Sequence, residues 1–175
     1  MAWIVIMGVA GCGKSSLGAA VASQAGLAFI EGDTFHSPQA LAKMRAGIPL
    51  SDADRTEWLD RLGVELARRP EGAVLACSAL KHAYRDRLRR AVPDLKFVYL
   101  EIDRETAHLR VAARGAAPMF PASLVHSQFT ALESPSLEPG VLTMCATDTV
   151  ADLCAKAYIW MGTRCAKLAP AALYK

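Results

Sequence analysis

Residues Gly8-Val9-Ala10-Gly11-Cys12-Gly13-Lys14-Ser15 complete the pattern G-x-x-x-x-G-K-[ST], which constrains a fold more tightly than any other segment of this chain. The glycines let the backbone curl so that successive N–H groups face inward at phosphate oxygens. A helix that starts at once after the loop adds the partial positive charge of its N-terminus at the same place. Such a loop needs a strand before it and a helix after it. The apolar run Trp3-Ile4-Val5-Ile6-Met7 supplies the first and Leu17-Gly18-Ala19-Ala20-Val21-Ala22 the second. A plain glycine-rich turn would need neither Lys14, suited to reach β- and γ-phosphates, nor Ser15, suited to ligate Mg²⁺. Gly8, Gly11, Cys12, Gly13, Lys14, Ser15 and Ser16 are therefore expected to hold the phosphates of a nucleotide.

The rest of the chain repeats the strand-then-helix alternation. Short apolar runs at Ile4–Met7, Leu27–Ile30, Ala73–Ala76, Phe97–Leu100 and Val141–Met144 predict five buried strands. Amphipathic segments near residues 14–25, 38–46, 54–69, 81–91, 104–113, 121–132 and 149–161 predict helices between and after them. That order builds a doubly wound α/β fold with a parallel sheet. The chain of 175 residues is long enough for one domain, placed at 1–165, with residues 166–175 a loose tail or an expression remnant. The irregular stretch Gly115-Ala116-Ala117-Pro118-Met119-Phe120-Pro121 predicts a mobile lid over about 110–130.

In sheets of this kind ligands bind beyond the carboxyl ends of the strands, so the residues just after each strand are read for chemistry. After the second strand comes Glu31-Gly32-Asp33-Thr34-Phe35-His36. Asp33 suits a base for an attacking hydroxyl, a holder of Mg²⁺ through water, or a turn aspartate. His36 suits a hydrogen bond to substrate or a cap of the helix near Ser37-Pro38. Gly47 and Pro49 end one helix, Asp52 or Asp54 caps the next, and Arg55 and Trp58 face one way at i, i+3 spacing. The third strand ends in Cys77-Ser78, where many phosphate-loop enzymes place a metal-holding aspartate, so Ser78 can hold a metal-bound water. Cys77, with no histidine partner in view, reads as a small buried hydrophobe. Lys81 and Arg85, at i, i+4 on one predicted helix face, suit a carboxylate or phosphate, or are solvated surface cations. Arg110 and Arg114 flank the lid, where an arginine can close over the γ-phosphate or simply carry helix-surface charge.

Composition removes several function classes. A net charge of +3 with one basic cluster, Arg85, Arg87, Arg89 and Arg90, and no interleaved aromatic residues argues against a nucleic-acid partner. No apolar run reaches the length of a membrane span. The five cysteines form no C-x-x-C pair and read as reduced cytosolic thiols.

Taken together the spaced segments resemble the gluconate kinases, small phosphate-loop kinases similar in fold to nucleoside monophosphate and shikimate kinases. The resemblance covers about residues 3–160. It rests on Met7–Ser15, Glu31-Gly32-Asp33 with His36, Lys43-Met44, Pro49–Arg55 with Trp58, Cys77–Lys81 with Tyr84-Arg85-Asp86, and Ser127-Gln128-Phe129 with Leu132-Glu133. It implies transfer of the ATP γ-phosphate to D-gluconate with Mg²⁺, in a cytoplasmic homodimer. It also implies Asp33 as the base near the acceptor hydroxyl, and Lys43, Arg55, Lys81 and Arg85 as grips on the sugar acid. The chain departs from the family pattern in the lid, where Pro118 stands in place of a histidine, and after the last strand, where Cys145-Ala146-Thr147 stands in place of an aspartate. Two other readings stay open. A shikimate-type kinase would carry a triple-glycine segment, which is absent. A nucleotide-dependent switch of the GTPase kind would carry N-K-x-D, also absent.

Overall fold

The computed structural model describes residues 2–113, 121 and 123–162. Its five strands are β1 (Ala2–Met7), β2 (Ala28–Glu31), β3 (Gly72–Ala76), β4 (Lys96–Glu101) and β5 (Val141–Cys145). All pairings are parallel, in the order β2-β3-β1-β4-β5. Parallel neighbours need crossovers, and helices supply them: α1 (Lys14–Ala25), α2 (Pro38–Arg45), α3 (Asp52–Ala67), α4 (His82–Ala91), α5 (Arg104–Ala112), α6 (Ser123–Ala131) and α7 (Val150–Trp160). The five predicted strands and seven predicted helices all form, with ends displaced by one or two residues for most of them.

The continuous apolar run of β1 has a structural cause. Ile4, Val5, Ile6 and Met7 are each wholly buried, because the strand lies mid-sheet with helices on both faces. Alternation along the strand divides them. Ile4 and Ile6 pack with Leu17 and Val21 of α1 and Leu153 and Ala157 of α7. Val5 and Met7 pack with Leu59, Leu62 and Leu66 of α3 and Leu88 of α4. Two cores therefore clamp the sheet and fix its carboxyl edge, where the loops after β1, β2 and β3 converge.

Several local expectations need correction. Helix α3 starts at Asp52, and its cap is Ser51 rather than Asp52 or Asp54. Ser51 accepts from Asp54 N–H while the Asp54 carboxylate accepts from Ser51 N–H, a reciprocal box that ties up both free donors. Ser37, not His36, caps α2 through Ala40 N–H, with Pro38 in the first turn. A 3-10 turn at Gly32–Phe35, unforeseen in the sequence, carries Asp33. Lys81 lies before α4 in extended backbone, so it and Arg85 do not share a helix face. No helix among the described residues is long and apolar enough to cross a membrane. Of the expected lid, residues 114–120 and 122, Arg114 included, lie outside the described residues, as does the tail from 163.

Candidate active site

The phosphate loop fills the turn between β1 and α1. Gly8 (φ 139°) and Gly11 (φ 85°) adopt left-handed backbone, and a Cβ at either would stand 2.8 Å from the Leu100 carbonyl or 2.7 Å from the Ala107 carbonyl. Only glycine fits there. Helix α1 starts with no side-chain cap and no acidic residue in its first turn, so its leading N–H groups stay available to an anion. Lys14 Nζ donates to the Val9 carbonyl at 3.0 Å, curling over the loop. The loop is also gripped from outside. Gly8 N–H donates to the Ser78 carbonyl (3.3 Å), and Ala10 N–H donates to Gln128 Oε1 of α6 (2.6 Å).

One cleft brings the loop together with the residues after β2 and β3. Gly11, Gly13, Lys14 and Ser15 line it together with Asp33, His36 and Ser78 and with Arg55 and Trp58 of α3. Met44, Leu124, Ser127 and Gln128 also line it. The i, i+3 pair Arg55 and Trp58 faces one way as its spacing predicts, and in the fold that side is the cleft. Trp58 Nε1 donates to the Gly32 carbonyl at 2.8 Å, which pins the indole under the 3-10 turn. His36 stacks on that indole, with ring centroids 4.2 Å apart and planes 15° from parallel. Burial pushes the His36 pKa down; Asp33, 4.0 Å from Nε2, opposes this, and Arg55 adds to it. The imidazole is thus held neutral, and its buried Nδ1 has no hydrogen-bond partner among the described residues.

The four cations assigned to the sugar acid meet different fates. Arg55 alone among them lines the cleft. Its Nη1 donates to the Leu50 and Ser51 carbonyls, its Cζ lies 5.8 Å from the Tyr84 ring centroid, and it pairs with no carboxylate among the described residues. Lys43 Nζ is held by Asp54 at 2.7 Å, and the Lys43 and Ser51 hydrogen bonds hold the Asp54 carboxyl well below its usual range. Lys81 Nζ is held by Asp52 at 2.8 Å; this bond and one from Tyr84 Oη lower the Asp52 pKa. Arg85 is wholly buried, where the sequence offered a surface cation or an exposed ligand. All five of its N–H donors are engaged by protein: Nη1 by the Ala79 and Leu80 carbonyls, Nη2 by the Glu133 carbonyl and Glu138, and Nε by Glu138.

A second groove is lined by Gly11, Gly13, Ser16, Arg110, Asp148 and Val150, so Ser16 and Arg110 share a groove that does not include Asp33. Arg110 Nη1 donates to the Ala146 carbonyl at 3.0 Å. Cys77 is buried, and burial pushes its thiol up to about 12, which makes it a core hydrophobe and no nucleophile. Among the described residues no three His, Cys, Asp or Glu side chains cluster as metal ligands. Ser15, Asp33 and Ser78 do share the cleft and offer oxygen donors, a sparse set that suits Mg²⁺, which keeps several waters and takes phosphate oxygens.

Sequence reasoning gave Gln128 no role of its own, and it missed the His36–Trp58 stack and the carboxylates that neutralise Lys43, Lys81 and Arg85. The partners of Ala10 and Arg85 lie 118 and 53 positions away, and no local spacing encodes them.

A parallel sheet of this strand order with a phosphate loop after β1 defines a P-loop kinase of the α/β class. The AAA domain family model matches residues 4–135. The thermosensitive gluconokinase of Escherichia coli (strain K12) is 42% identical over 137 residues, 77% of this chain and 73% of that protein. A gluconokinase of Gluconobacter oxydans (strain 621H) is 41% identical over 145 residues, 80% of each chain. The crystal structure of a gluconokinase from Sinorhizobium meliloti 1021 superposes with a TM-score of 0.84 at 40% identity, covering 92% of this chain and 91% of that one. The chain belongs to the gluconokinase family.

Proposed function

We propose that this protein transfers the γ-phosphoryl group of ATP to the terminal hydroxyl of D-gluconate, forming 6-phosphogluconate and ADP. The observation that carries this reading is that one cleft holds the phosphate loop, the Asp33 carboxylate and the Arg55 cation, which pairs with no carboxylate among the described residues. Phosphoryl transfer asks the protein for positioning and charge neutralisation more than for covalent chemistry. Lys14 and the N–H groups of the loop orient the transferred group. Asp33 accepts the proton of the acceptor hydroxyl as the new P–O bond forms. Arg55 receives the substrate carboxylate in the cleft, and neutral His36, which lines the same cleft, is assigned a hydrogen bond to a chain hydroxyl. Trp58 and Leu124 supply apolar walls that limit water.

Ser15 would hold Mg²⁺, and Asp33 or Ser78, which line the same cleft, would reach the ion through water. The ion supplies neutralisation of charge on the β- and γ-phosphate oxygens. Ser16 and Arg110 serve the nucleotide side, and Arg114 is assigned to the moving phosphate from the sequence. The reading includes a small-molecule acceptor rather than nucleic acid, a cytoplasmic setting and a homodimer; free thiols at Cys12, Cys77, Cys145 and Cys154 support the reducing compartment.

The test uses purified protein with Mg²⁺-ATP and a panel of sugar acids. ADP should form with gluconate, and Lys14→Ala and Asp33→Asn should each abolish turnover. Turnover of shikimate or another acid without turnover of gluconate would overturn the acceptor assignment.

A further inference from the structure

Arg85 is the largest wholly buried side chain among the described residues and carries a charge, and no step of phosphoryl transfer uses it. What it holds is unusual. Its Nη1 reaches the carbonyls of Ala79 (2.8 Å) and Leu80 (3.0 Å). Ala79 has φ 44°, the only non-glycine residue with positive φ among the described residues. An L-residue adopts that backbone at a cost, so it persists only where surrounding bonds enforce it. Immediately before it stands Ser78, whose carbonyl accepts the Gly8 N–H of the phosphate loop.

The other side of the guanidinium faces the segment after α6. Nη2 donates to the Glu133 carbonyl (3.1 Å), and Nε to Glu138 at 2.9 and 3.1 Å. Glu138 is further fixed by His82 Nδ1 (2.9 Å) and Arg89 Nη2 (2.9 Å). Glu133 adds two bonds of its own, N–H to the Leu80 carbonyl (2.9 Å) and carboxylate to the His82 N–H (2.6 Å). Two residues earlier α6 ends, and α6 carries Gln128, the acceptor for Ala10 N–H.

Both routes from Arg85 therefore end on the backbone of the phosphate loop, one at Gly8 through Ser78 and one at Ala10 through Gln128. We infer that Arg85 is a positioning residue for the nucleotide: its rigid fork locks the Ala79 turn to the end of α6 and so sets the loop's curvature from behind. The guanidinium suits this because its donors diverge in one plane, whereas an ammonium is a single point that cannot span both sides. Helix α6 and the β3–α4 turn then move only together, and the loop is preorganised for phosphate before any ligand arrives. The inference rests on the phosphate loop holding a nucleotide and not on the identity of the acceptor.

Arg85→Lys keeps the charge opposite Glu138 and removes the fork. Titration calorimetry with ADP and Mg²⁺ reads nucleotide affinity directly, without any acceptor, and a thermal melt establishes folding. The expected result is nucleotide binding weaker by about tenfold, the scale of one or two net hydrogen bonds, with the KM for gluconate unchanged. Adding Ala79→Gly should recover part of the loss, because glycine takes the left-handed turn without being held there. A folded Arg85→Lys with normal ADP affinity would overturn the inference. So would a loss confined to the gluconate KM, which would make Arg85 a grip on the acid itself. If Arg85→Lys does not fold, Gln128→Met reads the α6 route alone: it deletes the acceptor of Ala10 N–H, and because Gln128 also lines the cleft, the KM for gluconate is measured beside the ADP affinity. About tenfold weaker ADP binding is expected there, and unchanged binding would refute the coupling.

Discussion

Replacing Arg55 by methionine separates the four cations that sequence alone could not rank. The substitution keeps an unbranched stem and removes the charge. A charge-assisted hydrogen bond contributes about 1.5–3 kcal/mol net, and each 1.4 kcal/mol is about tenfold in affinity. The half-buried guanidinium sits in an open cleft, braced by the Leu50 and Ser51 carbonyls, so water screens part of its field and the lower half of that range applies. The expected effect is about a 12–40-fold fall in kcat/KM for gluconate at saturating ATP. Sorbitol, a neutral polyol of the same length, should be turned over poorly and with little difference between wild type and variant. Lys43→Met and Lys81→Met should each change gluconate kcat/KM by less than about threefold, because Asp54 and Asp52 already engage those ammonium groups in pairs that water partly reaches. Coupled-enzyme detection of ADP measures all four proteins. If Arg55→Met retains full kcat/KM while Lys81→Met loses it, the carboxylate binds at the mouth of α4 and the reasoning from paired and unpaired charge is wrong.

Other outcomes follow from the same geometry. His36 has a folded-state pKa below its ordinary 6.5, so the neutral ring contributes stability that is complete above that value and is lost as the pH falls toward the folded pKa. Tm should therefore drop below about pH 6.5, and His36→Phe should flatten that portion of the Tm–pH curve. Iodoacetamide at pH 8 should alkylate exposed Cys145, whose pKa is lowered by its hydrogen bond with Thr147, and spare Cys77, held at about 12 by burial; peptide mapping showing Cys77 labelled in the native protein would contradict this. Leu62→Ala opens a void in the core between the sheet and α3, where Leu62 is wholly buried, and should cost about 2–5 kcal/mol in denaturant unfolding.

The sheet and the phosphate loop were legible because both are written in short-range terms. A strand buried on both faces reads as an unbroken apolar run such as Ile4–Met7, and a loop that must curl around phosphate reads as glycines at fixed spacing before Lys14 and Ser15. Arg55 and Trp58 were legible for the same reason, since i, i+3 spacing places two side chains on one helix face wherever that helix docks. Helix α3 was misjudged at its start because Ser51 and Asp54 compete for one cap, and only the realised backbone shows which oxygen accepts which N–H.

What the amino-acid sequence determined by itself is thus the order of elements, the phosphate-binding loop and the set of polar residues at the strand ends. Which of those residues line the cleft was decided by tertiary structure alone. A cation's availability depends on the nearest carboxylate, and these arrive from 11 positions away for Lys43, 29 for Lys81 and 53 for Arg85. Chain separation says nothing about such meetings, because they are set by where two cores clamp the sheet and bring the start of α3 and the end of α6 against the β3–α4 turn. The phosphate loop shares in this. Its glycines are local, but the hydrogen bonds that hold Gly8 and Ala10 in place come from Ser78 and Gln128, and folding supplies them.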